Sequence, residues 1–165
     1  MATSKKRNGT KRKSSPSTDA VALLKADHRT VKDWFEEFES ARKAARKLEL
    51  ASRICRALRI HMTIEEEIFY PAFLAATMDD DMNDEAEVEH DGAKNLISKI
   101  EKSSPAEELY DAQVHVLSEM IKHHVKEEEQ PGGMFAEARQ SNMDLVEIGR
   151  QLAQRKAQLE GQAGG

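Results

Sequence analysis

Four histidines and two pairs of glutamates recur along this chain in one order. Asp27-His28 is followed by His61-Met-Thr-Ile-Glu65-Glu66, and Glu89-His90 by His124-Val-Lys-Glu-Glu128-Glu129, the histidines of each copy standing 33 and 34 positions apart. Imidazole nitrogen with carboxylate oxygen is a donor set for first-row metals of borderline character, and with one cysteine in the chain thiolate zinc and iron–sulfur sites are excluded. The candidate ligands are His28, His61, Glu65, His90, His124 and Glu128. Six donors exceed the four that one zinc takes, so the expected arrangement is two metals bridged by Glu65 and Glu128, each held by two histidines and retaining open positions. Iron is the natural occupant, and manganese or zinc also satisfy the donor chemistry.

Ligands so placed need helices to bring them together. From Thr18 onward apolar residues recur at three and four, the period of amphipathic helices. The first helix starts at a cap at Thr18 or Asp19 and carries Leu24, His28, Val31, Phe35 and Phe38 on one face. The second carries Ile54, Leu58, His61, Glu65 and Ile68 and is expected to end near Pro71. The third carries Ala86, His90, Ala93, Ile97 and Ile100 up to Ser103-Ser104-Pro105, and the fourth Val114, Leu117, Ile121, His124 and Glu128 up to Pro131-Gly132-Gly133. Every candidate ligand takes a core position that an ordinary bundle gives to Leu or Ile, and residues four apart share a face, so His61 joins Glu65 and His124 joins Glu128. Unpartnered buried carboxylates cost several kcal/mol each, so such a core calls for cations.

The expected fold is all-α: an up-down-up-down four-helix bundle over residues 18–133, whose two hairpins relate by an approximate twofold axis. Residues 134–160 carry Ala138, Leu145, Leu152 and Leu159 at sevens and read as an extra C-terminal helix packed across the bundle, with a short coiled-coil dimer contact as the alternative. Residues 161–165 read as a disordered end. The first 13 residues hold six Lys or Arg and no acid, and a net charge of −5 therefore leaves about −11 for the rest. Residues 1–17 hold too little apolar surface to offset ordering and read as a disordered basic tail, either solubilising or a non-specific tether to nucleic acid or an anionic surface. A length of 165 residues suits one domain with tails, and no apolar run is long enough for a transmembrane segment or a secretory leader, so a cytoplasmic protein is expected. Cys55, between Ile54 and Leu58, reads as a packed small hydrophobe.

The residues His28, His61-x-x-x-Glu65, His90 and His124-x-x-x-Glu128, with Phe69-Tyr70-Pro71 after the first copy, make the chain resemble the hemerythrin-type HHE cation-binding domains over about Asp19 to Phe135. The resemblance implies a hemerythrin-like bundle around two iron ions joined by an oxo or hydroxo bridge. It also implies a small diatomic ligand or peroxide as partner. Oxygen-carrying members of the family have a further histidine four residues from another on the third helix, where this chain has Ala86 and Lys94 around His90. Reversible oxygen transport is therefore not the expected role.

The remaining polar residues read as surroundings. His115 lies half a turn away from the ligand face and His123 about 100° from it. Glu66, Glu67, Glu127 and Glu129 read as surface groups unless they orient ligand histidines, and Glu87 as solvated or supporting. Asp79 to Asp81 with Asp84 and Glu85 read as an acidic loop without the register of a calcium loop. The Glu-x-x-His spacing of ferritin-like centres is not the His-x-x-x-Glu seen here. Three classes of function follow: a di-iron protein that binds or senses O₂, NO, peroxide or iron status in a stress response; an oxidoreductase that consumes peroxide or NO; or a regulator tethered to nucleic acid by its basic tail. The chain has no Gly-rich dinucleotide turn to mark an electron donor and no basic recognition helix. A monomer or weak dimer is expected.

Overall fold

The computed structural model describes residues 18–162; the basic tail and the last three residues lie outside it. Helix α1, Ala20–Ser40, begins where the Asp19 carboxylate accepts the Ala22 N–H at 2.8 Å, a side-chain cap for a free helix donor. It turns back at 41–43 into α2, Ala44–Ile64. Helices α4, Asp80–Glu101, and α5, Tyr110–Glu129, form the second hairpin. Packing runs α1 to α2, α2 to α4, α4 to α5 and α5 back to α1, so the four close into a ring. Among the described residues no helix is long and apolar enough to cross a membrane.

The second helix does not end at Pro71. After Ile64 the chain widens into a π-helical turn, Glu65–Phe69, and continues as α3, Tyr70–Thr77, ending at Met78 in the left-handed region with φ 59°. Pro71 sits in the first turn after the widened segment, where the regular hydrogen-bond ladder is already interrupted and its missing N–H costs little. Likewise the acids at 79–85 form no loop. Asp79 caps α4 by accepting the Met82 N–H at 2.9 Å, and Asp80 and Asp81 fill the first turn, where the helix dipole favours negative charge.

The C-terminal segment is two helices rather than one. Short α6, Met134–Gln140, stops at Ser141, and α7, Leu145–Gln162, starts where Asp144 accepts the Glu147 N–H at 3.0 Å. Helix α7 packs across α1 and α2 and buries Leu152, with Leu145 and Leu159 partly covered on the same face. Gly149 permits the close approach, because a Cβ there would stand 2.6 Å from the Thr18 carbonyl oxygen. At the other hairpin end Gly132 takes φ 76°, the turn that leads α5 into α6.

The core is divided in two. One apolar cluster holds Phe35, Phe38, Leu50, Ile54, Leu58 and Tyr110; the other holds Leu24, Phe69, Phe73, Met134, Phe135 and Leu152. The buried polar residues His28, His61, Glu65, His90, His124 and Glu128 lie in the four bundle helices and the π-helical turn that these clusters line.

Candidate metal centre

Each bundle helix delivers one histidine: His28 from α1, His61 from α2, His90 from α4 and His124 from α5. They meet in two pairs. The Nε2 atoms of His28 and His61 lie 3.1 Å apart, and those of His90 and His124 3.2 Å apart. Two nitrogens about 2.0–2.1 Å from one ion and about a right angle apart would themselves be about 3 Å apart, so each pair has the separation of two ligands on one cation.

The two glutamates join the pairs. Glu65 places Oε1 3.0 Å from His61 Nε2 and Oε2 3.2 Å from His90 Nε2. Glu128 places Oε2 3.3 Å from His28 Nε2 and Oε1 3.3 Å from His124 Nε2. Glu65 is fully buried and Glu128 2% exposed, and beyond the histidine nitrogens Glu65 Oε1 and Glu128 Oε2 meet no hydrogen-bond partner. Buried carboxylates need positive charge beside them, and a cation held between them and the histidines supplies it. Two groups have ligand atoms all within 4.8 Å of one another, namely His28, His61 and Glu65, and Glu65, His90 and His124, with Glu65 common to both. These residues fit a pair of metal ions.

Each of the four histidines is held from behind. Nδ1 of His61 contacts Asp27 at 3.0 Å, that of His28 Glu129 at 3.0 Å, that of His90 Glu66 at 2.8 Å and that of His124 Glu89 at 2.5 Å. A carboxylate on Nδ1 fixes the ring and leaves Nε2 as the inward ligand atom. The acid preceding the first histidine of each copy serves the second histidine of that copy. The acid following each of Glu65 and Glu128 serves the first histidine of the other copy. Glu66 and Glu129 are thus orienting groups, whereas Glu67 pairs with Arg155 on the surface and Glu87 accepts from Asn83. His115 and His123 are exposed, beside Glu39 and Glu89.

Charge opposes burial at several groups of this cluster. Burial alone would push His61 down, but Glu65 and Asp27 outweigh it and hold the imidazole up at about 10. Burial is likewise outweighed at His28 by Glu128 and Glu129, and at His124 by Glu128 and Glu89, and both are raised. Glu65 is drawn well below the ordinary carboxylate range despite its burial, by His61 and His90.

Tyr70 was not among the residues singled out from sequence as ligands. Its hydroxyl donates to Glu128 Oε1 at 2.9 Å and lies 3.2 Å from Glu65 Oε2, 3.1 Å from His90 Nε2 and 3.4 Å from His124 Nε2. Five residues after Glu65, it would be turned away on a regular α-helix. The π-helical turn, closed by the Tyr70 N–H on the Glu65 carbonyl, returns it to the same face. In the other half Phe135 stacks on His28 with ring centroids 5.8 Å apart, so the two halves are chemically unequal. Beside the four histidines Val31, Leu58, Met62, Ile121 and Val125 line a small chamber of about 20 Å³.

Residues 19–131 match the family described as the hemerythrin HHE cation binding domain. Among solved structures, a hemerythrin HHE cation binding domain-containing protein from Mycobacterium kansasii superposes with a TM-score of 0.73 at 25% identity, covering 88% of this chain and 89% of that one. No curated protein matches the chain.

Proposed function

We propose that this chain, which belongs to the hemerythrin HHE cation-binding domain family, is a cytoplasmic non-haem di-iron protein that binds or senses O₂, NO, peroxide or iron status in a stress response. The observation that carries the di-iron reading is the division of Glu65 and Glu128, each with one oxygen toward either histidine pair. His28 and His61 would hold one ion and His90 and His124 the other, with both glutamates between them. When bound, an iron pair supplies electrons and open positions for a small oxidant.

The protein's own groups restrict what can approach. Asp27, Glu129, Glu66 and Glu89 hold the Nδ1 protons and keep the four Nε2 atoms inward. Tyr70, raised well above its ordinary value by burial and by Glu128 and Glu65, stays protonated and donates to a bridging carboxylate. The chamber, with apolar side chains beside the histidines and Asp27, has room for about one water-sized molecule, which favours diatomics and peroxide over larger ligands.

The test is the visible absorption of iron-loaded protein, prepared without oxygen, before and after addition of O₂, NO or peroxide. Bands that appear with one of these and are lost in His61→Ala support the reading and identify the ligand. A spectrum unmoved by all three removes the small-molecule role.

A further inference from the structure

Two cavities reach the candidate centre from opposite chemical surroundings. The larger, about 600 Å³ between α1 and α5, borders His28 and carries Arg29, Lys32, Lys122 and Lys126 against Glu36, Glu39 and Glu129. The smaller, about 270 Å³, lies between the start of α4, the end of α5 and the turn into α6. Its walls carry Asp79, Asp81, Glu85, Glu89 and Glu127 with no lysine or arginine, and His124 and Glu128 are part of the same lining. The acidic cleft therefore reaches the His124 side of the centre, where Glu128, 2% exposed, forms part of its wall.

We propose that this acidic cleft is the port through which a divalent cation enters the centre. The inference rests on the di-iron reading and adds to it a route and the residues that make it. Among the described residues Asp81, Glu85 and Glu127 form no ion pair with a lysine or arginine, and burial together with Asp79 raises the carboxyl of neighbouring Glu137, as crowding of like charges does. Uncompensated carboxylates in a concave surface focus a negative potential, raising local cation concentration and the rate of encounter by about 10–10³-fold at low salt. The mixed-charge cavity at His28 has no such field. The three outer acids accept no capping N–H, unlike Asp79, and orient no histidine, unlike Glu89, and Asp81 alone among them adds first-turn charge to α4. Their role in loading is separable from the integrity of the centre.

The test is the rate at which cobalt(II), whose visible absorption reports its coordination, enters the metal-free full-length protein. The variant Asp81→Asn/Glu85→Gln/Glu127→Gln is compared with Glu36→Gln/Glu39→Gln, which neutralises acids of the other cavity. At low salt the first should load about tenfold more slowly to the same final occupancy, the second at the parental rate, and about 0.5 M salt should abolish the difference. Full occupancy reached at the parental rate by the first variant, or equal slowing of both, overturns the port and leaves the metal centre standing. No cobalt bound by the parental protein overturns both.

Discussion

Glu65 and Glu128 face the same two histidine pairs from opposite hairpins, and in each the two carboxylate oxygens divide between the pairs at 3.0–3.3 Å. Without metal, histidines raised above their ordinary value hold these carboxylates; in the proposed centre the same oxygens and the Nε2 lone pairs would be the ligands, so protons and metal would compete for one set of atoms.

Metal binding should release protons at neutral pH, because His28, His61 and His124 are raised above their ordinary 6.5. Calorimetric titration in two buffers of different ionisation heat should show at least about one proton released per chain near pH 7. In the metal-free protein the stability contributed by His61 is complete below 6.5 and lost as pH rises through about 10. That contributed by Glu65 is present above its ordinary 4.5 and lost as pH falls through its lowered value. The metal-free melting temperature should fall between about pH 6.5 and pH 10, and metal should flatten that fall. Equal heats in both buffers would contradict the prediction.

Tyr70→Phe removes a buried donor to Glu128 without changing volume appreciably. A hydrogen bond to a charged group contributes about 1.5–3 kcal/mol, so the metal-free variant should melt several degrees lower. Metal should restore part of that loss, since the orphaned carboxylate oxygen then gains a cation. Identical melting of parent and variant in the metal-free state would remove Tyr70 from the centre.

Asp27 links the centre to the C-terminal helix, receiving Lys156 at 2.5 Å on one oxygen and His61 at 3.0 Å on the other. Asp27→Asn should lower metal affinity by about 10–100-fold, the usual cost of losing a partner behind a ligand histidine. Lys156→Met should cost less, because Asp27 keeps its bond to His61. Competition with a chelator of known affinity measures both, and a larger loss in Lys156→Met would reverse this assignment.

Cys55 should be inert in the folded chain. Burial, then Glu101, pushes its thiol up to about 12, so almost no thiolate exists near neutral pH. A thiol reagent should modify it only as fast as the protein unfolds. Rapid modification under native conditions would contradict the buried placement.

Much of this site was written in the repeat. Helical periodicity placed the six candidate ligands on inward faces, and the structure brings those side chains together. The roles of Asp27, Glu89, Glu66 and Glu129 were present in the motif as the acids flanking it, but which histidine each serves depends on how two hairpins cross, which spacing alone does not specify. Tyr70 required the π-helical turn, and proline at 71 read as a stop because a proline inside a regular helix is one. The break at Ser141 interrupted a seven-residue repeat that looked continuous, although Ser141 and Asp144 are the capping residue types that mark such a break.

The central claim is a centre for two metals with shared glutamates, and counting metal tests it most directly. Protein loaded with iron in the absence of oxygen and freed of excess should hold two ions per chain, and Glu65→Ala should hold one or fewer. One ion or none in the parental chain, or unchanged content in Glu65→Ala, would contradict it.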